Sequence, residues 1–282
     1  GKQQTYSLVV KGITTSGSDS SEELRDVSVF QFSDGNLYKT QQLTPESNGQ
    51  SSISALSGSR LYFLTGVTLP VQEEGITEEE FRNMTIGEEL HNNSAPDFMA
   101  AIVELESTPQ TRSNQEINVG MKRGVARIDL NTTADSKTLI KEIIVKDAPA
   151  ETYPFIENAS ASDKTVSYLK KFDPAFGGEQ QGIFRIFESK RPVNIILRGT
   201  YNEIPISLKM QLPSIERNKI YELSVLNVGA TVEGIFEIKP WEEGETIIGK
   251  PDTEHRILLN ASQSKIPEGI TCLSYTSPSP RD

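Results

Sequence analysis

The chain has 282 residues, which is enough for about two domains of ordinary size. Its hydrophobic fraction of 35% can fill two modest cores and, with its many aromatic and β-branched residues, excludes general disorder. The net charge of −11 argues against binding to nucleic acid or to an anionic membrane leaflet, because both require clustered Lys and Arg.

Strict alternation of apolar and polar residues, the period of a half-buried strand, dominates the first half of the chain. It predicts strands at residues 5–10 and 27–32, and the apolar runs at residues 61–64 and 100–105 predict more deeply buried strands. The pair Asp34-Gly35 predicts a tight hairpin turn after the second strand. Residues 77–80 (TEEE) fit a capping box, which predicts a helix of about three turns at most over one end of the first domain.

The second half contains the clearest strand, residues 204–212, with five apolar residues on one face. Its predicted partner is residues 192–198. Pro205 cannot donate to a ladder, so this strand is expected at a sheet edge or a bulge. Residues 160–172 are expected to include a turn of helix. Further strands are predicted at residues 124–130, 140–145, 220–228 and 232–238.

Gly, Ser, Pro and Asn separate about eleven predicted strands, which is the pattern of β-sandwiches and not of βαβ units. The polar run 107–115 predicts a connector, which gives an N-terminal sandwich at residues 1–118 and a C-terminal one at residues 119–249.

Residues 250–271 are expected to be the start of a truncated C-terminal segment. Residues 272–282 resemble the in-frame translation of a transposase-library sequencing adapter, with Ser274 where that translation has Leu. We therefore expect these last residues to be an artefact.

Catalytic and metal-binding motifs do not emerge from the sequence. His91 and His255 lie in no H-E-x-x-H frame, and there is no nucleophile elbow, Walker loop or dinucleotide-binding glycine motif. The single Cys272 can form neither an internal disulfide nor a Cys-based cluster. Trp241 is predicted to be a plug in a core or at a domain edge. We expect no catalytic residue, no cofactor and no metal site, and hence no enzyme.

Five segments of this sequence occur in the order and with the spacing that are typical of one known family. They are residues 5–12 (TYSLVVKG), 25–32 (RDVSVFQF), 122–130 (KRGVARIDL), 214–223 (SIERNKIYEL) and 236–241 (FEIKPW). Together they resemble the fimbrillins, the subunits of type V pili, over roughly residues 5–249.

This resemblance implies two tandem transthyretin-like, Greek-key β-sandwiches on a lipoprotein exported to the outer membrane and the extracellular fimbria. In polymerising members an Arg-specific protease cuts after the first strand. A strand of the next subunit then replaces it, which is assembly by β-strand addition. The implied partners are other pilus subunits and a host or bacterial surface ligand.

The candidate exchangeable strand carries Tyr6, Leu8 and Val10 on one face. It is either a removable plug or a permanent strand of the sandwich, and the sequence leaves both open. No arginine occurs between Lys11 and Arg25, so Arg25 is the candidate processing site, although it lies directly against the next strand.

The lack of an earlier arginine favours a minor anchor or tip subunit that supports adhesion over a stalk fimbrillin. The alternative of another class is a stand-alone surface module that binds glycans or proteins, which a cluster of exposed aromatic residues would favour.

Overall fold

The computed structural model describes residues 1–13, 24, 26–71, 75–87, 94–107, 116–228, 231–241 and 256–258. Several predicted features lie outside these ranges: Arg25, both histidines, the boundary near residue 249, residues 272–282, and residues 250–271 apart from 256–258.

The described residues form 18 strands and one short helix, so the predicted all-β fold is confirmed. The first elements are β1 (Gln3–Ile13), β2 (Val27–Ser33), β3 (Asn36–Leu43), β4 (Gln50–Leu56), β5 (Arg60–Thr65), α1 (Glu78–Arg82), β6 (Ile86–Gly87), β7 (Met99–Glu104) and β8 (Glu116–Arg123). The others are β9 (Val125–Asn131), β10 (Thr138–Pro149), β11 (Glu151–Thr152), β12 (Thr165–Phe176), β13 (Glu179–Phe187), β14 (Val193–Tyr201), β15 (Ile204–Leu212), β16 (Lys219–Val228), β17 (Thr231–Pro240) and β18 (Arg256–Leu258).

The N-terminal half is one seven-stranded sheet in the order β3-β2-β5-β7-β8-β1-β4. Strands β7 and β8 share only two register pairs, Met99 with Arg123 and Ala100 with Lys122. Buried side chains from β1, β2, β4, β5 and β8 meet in one apolar cluster. The sheet therefore folds over on itself and forms a sandwich around that cluster.

The C-terminal half is a second sandwich. A four-stranded sheet, β12-β10-β14-β15, and a five-stranded sheet, β13-β9-β16-β17-β18, contribute side chains to one core. Strands β14 and β15 pair as predicted, from Val193 with Leu212 to Tyr201 with Ile204. Among the described strands β15 is at the edge of its sheet, which confirms the position expected for Pro205.

The helical turn expected within residues 160–172 is wrong. Strand β12 occupies most of this stretch and pairs antiparallel with β10, for example Tyr168 with Val145. Tyr168 is fully buried and Leu169 is exposed, which is the alternation of a strand. Pairing with a distant strand decides the conformation here, and local preference does not reveal it.

Two local predictions are confirmed. Asp34 and Gly35 both have positive φ, 49° and 77°, and join Ser33 to Asn36 in a two-residue hairpin turn. At α1 the Thr77 hydroxyl accepts a hydrogen bond from the Glu80 N–H, and the Glu80 carboxylate accepts one from the Thr77 N–H. The capping box is thus complete, although the helix has only five residues.

The chain leaves the N-terminal sheet and enters the C-terminal sandwich at Gly124. Strand β8 runs through residue 118, the predicted boundary, and pairs within the N-terminal sheet, whereas β9 begins at Val125 in the five-stranded sheet. A Cβ at Gly124 would lie 1.9 Å from the Phe98 ring, so the chain passes here with no room for a side chain. The division into two domains stays a prediction, and we place it at Gly124.

Candidate functional site

Strand β1 is an interior strand of the N-terminal sandwich. It pairs in parallel with β8, from Ser7 opposite Glu116 onward, and antiparallel with β4, from Gln3 opposite Leu56 onward. The most N-terminal strand is thus held on both sides by segments that are distant in sequence. Removing it would leave a slot between β8 and β4.

The candidate residues of β1 lie on one face. Leu8 and Val10 are buried in the N-terminal core, and Tyr6 is half-buried and packs against it. Burial raises the pKa of the Tyr6 hydroxyl. Ser7 is exposed on the other face. The apolar face of β1 is therefore part of the core, and whether the strand exchanges stays a prediction.

Strand β4 depends on β1 for its place in the sheet. Among the described residues its only strand partner is β1, and it is the last strand on that side. At its end the Ser57 N–H donates to the Lys2 carbonyl at 2.9 Å, and the Gln3 side chain donates to Ser54 Oγ at 2.8 Å. Loss of β1 would leave the backbone of β4 without its ladder hydrogen bonds and would also remove these two contacts.

The turn before β4 is fitted closely against β1. The Val10 N–H donates to the Gly49 carbonyl at 2.8 Å. Gly49 has a φ of 84°, and a Cβ there would lie 2.6 Å from the Val10 carbonyl oxygen. A glycine is therefore required on conformational and steric grounds. This contact fixes the end of the slot that β1 fills.

Arg25 lies outside the described residues, but its neighbours are placed. Leu24 is buried in the N-terminal core, and Asp26, with a φ of 45°, precedes the start of β2 at Val27. A cut after Arg25 would therefore detach Leu24 together with β1. Processing at this site stays a prediction.

An aromatic cluster joins the two halves of the chain. The ring centroid of Phe81 in α1 is 4.9 Å from that of Phe30 and 5.3 Å from that of Phe155, which belongs to the C-terminal half. Strands β6 and β11 pair across the same junction. The two sandwiches therefore share a buried contact in addition to the chain connection at Gly124.

A buried ion pair holds the loop that carries Phe155. Arg217 Nη2 donates to Glu188 Oε1 at 2.6 Å, and the side chains are only 5% and 4% exposed. The same nitrogen donates to the Tyr153 carbonyl at 2.9 Å and to the Ile156 carbonyl at 3.3 Å. Arg217 thus fixes the backbone on both sides of Phe155.

Trp241 confirms the prediction of a plug. It is buried at the end of β17 and belongs to the aromatic cluster at the junction. The guanidinium carbons of Arg123, Arg127 and Arg185 lie 4.6, 5.2 and 5.0 Å from its ring centroid. Cations over an indole face are attracted by its quadrupole. No local pattern in the sequence indicates this set, because the arginines come from three different strands.

A charged group borders the aromatic cluster at α1. Glu78 Oε1 accepts hydrogen bonds from Arg60 Nη1 at 2.7 Å and from the Tyr62 hydroxyl at 2.6 Å. Burial alone would raise the pKa of Glu78, but these two hydrogen bonds outweigh it and hold the pKa below its ordinary value of 4.5. Burial and the bond to Glu78 raise the pKa of Tyr62 to about 12.

The described part of the chain contains no group of three or more His, Cys, Asp or Glu residues placed to hold a metal ion. None of its helices is long and apolar enough to cross a membrane.

Solved structures with a similar fold include several fimbrial proteins. The tip fimbrial protein Mfa3 from Porphyromonas gingivalis, with a C-terminal truncation, aligns with a TM-score of 0.59 at 11% identity, over 84% of this chain and 100% of that one. A fimbrilin (FimA) of the same species aligns with a TM-score of 0.53 at 11% identity, over 78% and 89%. A fimbrial assembly protein from Parabacteroides distasonis aligns with a TM-score of 0.52 at 13% identity, over 84% and 96%.

No protein-family model and no curated protein sequence matches the chain. At identities this low the structural likeness establishes the fold alone, and it extends over nearly the full length of each fimbrial protein.

Proposed function

We propose that this chain is a fimbrillin, a non-enzymatic subunit of a cell-surface pilus, and that it assembles by exchange of β1 for a strand of a neighbouring subunit. The precursor is a lipoprotein of the outer membrane, and the subunit is a minor one, of anchor or tip type, that supports adhesion. The fold shared with fimbrial proteins and the family-like segments of the sequence support this proposal.

The observation that carries the proposal is the position of β1. It is the first strand of the chain, yet it fills an interior slot between β8 and β4. A replacement strand would have to run parallel to β8 and antiparallel to β4, with apolar residues at the positions of Tyr6, Leu8 and Val10. Both the main-chain hydrogen bonds and the alternate side chains would then be restored.

The free energy that the burial of β1 contributes is large compared with the stability of a domain. Fully burying one large apolar side chain contributes about 1.5–3 kcal/mol, so Leu8 and Val10 together contribute roughly 3–6 kcal/mol, and the half-buried Tyr6 adds less. A whole domain is stable by about 5–15 kcal/mol. A sandwich that has lost β1 is therefore marginal, and it gains most of this energy back by accepting another strand.

Limited digestion with an Arg-specific protease tests the proposal. We expect cleavage at Arg25, loss of residues 1–25 by mass, and a ladder of oligomers formed by the remainder. Native mass spectrometry measures both. An Arg25→Lys variant is the matched control, because it keeps the charge and removes the Arg-specific site.

A chain that is cut at Arg25 and stays a folded monomer would contradict assembly by strand exchange. A chain that resists cleavage at Arg25 would contradict processing there and would favour an uncleaved anchor subunit or the stand-alone surface module.

A further inference from the structure

The outer face of the β12-β10-β14-β15 sheet carries an apolar row across three strands. Leu169 lies opposite Ile144, Ile144 lies opposite Ile196, and the row ends at Lys209 of β15. Leu169 is 39% exposed, and both isoleucines are partly exposed. None of these side chains belongs to the C-terminal core or to the cluster at the junction. We call this surface the outer face.

Positive charge surrounds the apolar row. Four cations lie on the outer face, with three carboxylates beside them: Lys146, Lys171, Arg198 and Lys209, with Glu142, Asp147 and Asp173. Arg198 Nη1 donates a hydrogen bond to Glu142 Oε1 at 2.5 Å, and Asp147 Oδ2 accepts one from Asn194 Nδ2 at 2.6 Å. The outer face is thus a net positive surface on a chain of net charge −11.

The negative charge is concentrated in the other half of the chain. Residues 1–123 contain 9 Lys and Arg against 17 Asp and Glu, whereas residues 124–241 contain 15 of each. The N-terminal half is therefore strongly acidic, the C-terminal sandwich is balanced, and its outer face is positive. Opposite charges on two surfaces of one molecule favour contact between copies.

We propose that the outer face binds the acidic N-terminal half, residues 1–123, of a second copy of this chain. The contact rests on the proposed assembly, in which the N-terminal half of each subunit receives a strand from its neighbour. The apolar row supplies the dry centre of the contact, and the four cations form its rim. The outer face is an additional surface, distinct from the slot that β1 fills.

The small area of the outer face limits the strength of the contact. Four strands about 4.8 Å apart span about 15 Å, and nine residues of a strand are about 30 Å long, so the outer face covers roughly 450 Å², well below the ~800 Å² per partner of a stable interface. The contact is therefore weak between free copies and becomes effective when strand exchange holds two copies together. It gives the exchanged pair a preferred orientation.

Zero-length cross-linking of carboxylates to amines tests this contact in the intact, uncleaved chain. An equal mixture of ¹⁵N-labelled and unlabelled protein is cross-linked at low ionic strength, and the peptides that join one labelled and one unlabelled chain are identified by mass spectrometry. We expect links from Lys146, Lys171 and Lys209 to carboxylates within residues 1–123. They should disappear in about 1 M salt, where the Debye length is about 3 Å.

Matched variants make the test specific. A double variant, Lys171→Glu and Lys209→Glu, should reduce the links from Lys146 at least fivefold. A control double variant, Lys164→Glu and Lys190→Glu, changes exposed lysines of the same half that lie off the outer face, and it should leave those links unchanged.

Any of three results would overturn the proposal. They are cross-links spread evenly over all exposed lysines, cross-links from the outer face to residues 124–241, and no cross-links between copies. If these results occur while cleaved chains still form ladders, the outer-face contact is wrong and the pilus proposal stands. If the predicted links form while cleaved chains stay monomeric, strand exchange is wrong and the contact stands as self-association of the intact chain.

Discussion

Replacing Leu8 with alanine should destabilise the N-terminal sandwich by about 3 kcal/mol, within the 2–5 kcal/mol range for buried Leu→Ala changes. Leu8 is fully buried, and its strand is paired on both sides, by β8 and β4. The site cannot collapse easily, because both neighbouring strands are fixed by ladder hydrogen bonds. The measured loss of unfolding free energy should therefore include the full cost of the cavity.

Urea unfolding, followed by far-ultraviolet circular dichroism and by the fluorescence of Trp241, measures this change. Ser7→Ala is the matched control, because Ser7 is exposed on the opposite face of the same strand, and it should change stability by less than about 0.5 kcal/mol. If Leu8→Ala costs less than about 1 kcal/mol, β1 is not an energetically important core strand, and the reasoning behind strand exchange fails.

Three further changes test other parts of the structure. Glu188→Ala leaves the Arg217 cation buried without its carboxylate and should cost about 3–5 kcal/mol in urea unfolding, whereas a cost below 1 kcal/mol would show that the pair is solvated. Gly124→Ala should cost more than 1 kcal/mol in thermal unfolding because its Cβ overlaps a ring, while Gly87→Ala, where nothing lies within 4 Å, serves as the tolerant control. Glu78 has a lowered pKa in the folded state, so its contribution to stability is present above pH 4.5 and is lost as the pH falls through the folded pKa. Glu78→Gln should therefore flatten the acid side of a plot of unfolding free energy against pH. An unchanged plot would contradict a stabilising role for the ionised Glu78 carboxylate.

Local features of the fold could be predicted from the sequence because they are determined by a few adjacent residues. The Asp34-Gly35 hairpin follows from the two positive φ angles of its turn type, and the Thr77 cap follows from reciprocal hydrogen bonds within one helical turn. The pairing of β14 with β15 was also predictable, since a short turn joins them.

Non-local features could not be predicted in the same way. The parallel pairing of β1 with β8 joins Ser7 to Glu116, and no pattern within either segment indicates the other. The arginines around Trp241 and the Arg217–Glu188 pair likewise come together only through the sheet order. The apolar alternation of β1 was visible, but the interior position that makes it a candidate for exchange was not.

Complementation with a peptide tests the central claim most directly. A chain lacking residues 1–25 is mixed with a synthetic peptide of residues 3–13, and the species are resolved by native mass spectrometry. We expect the truncated chain alone to form ladders of oligomers, and excess peptide to convert them to monomers that each bind one peptide. A truncated chain that stays a folded monomer and binds no peptide would contradict strand exchange.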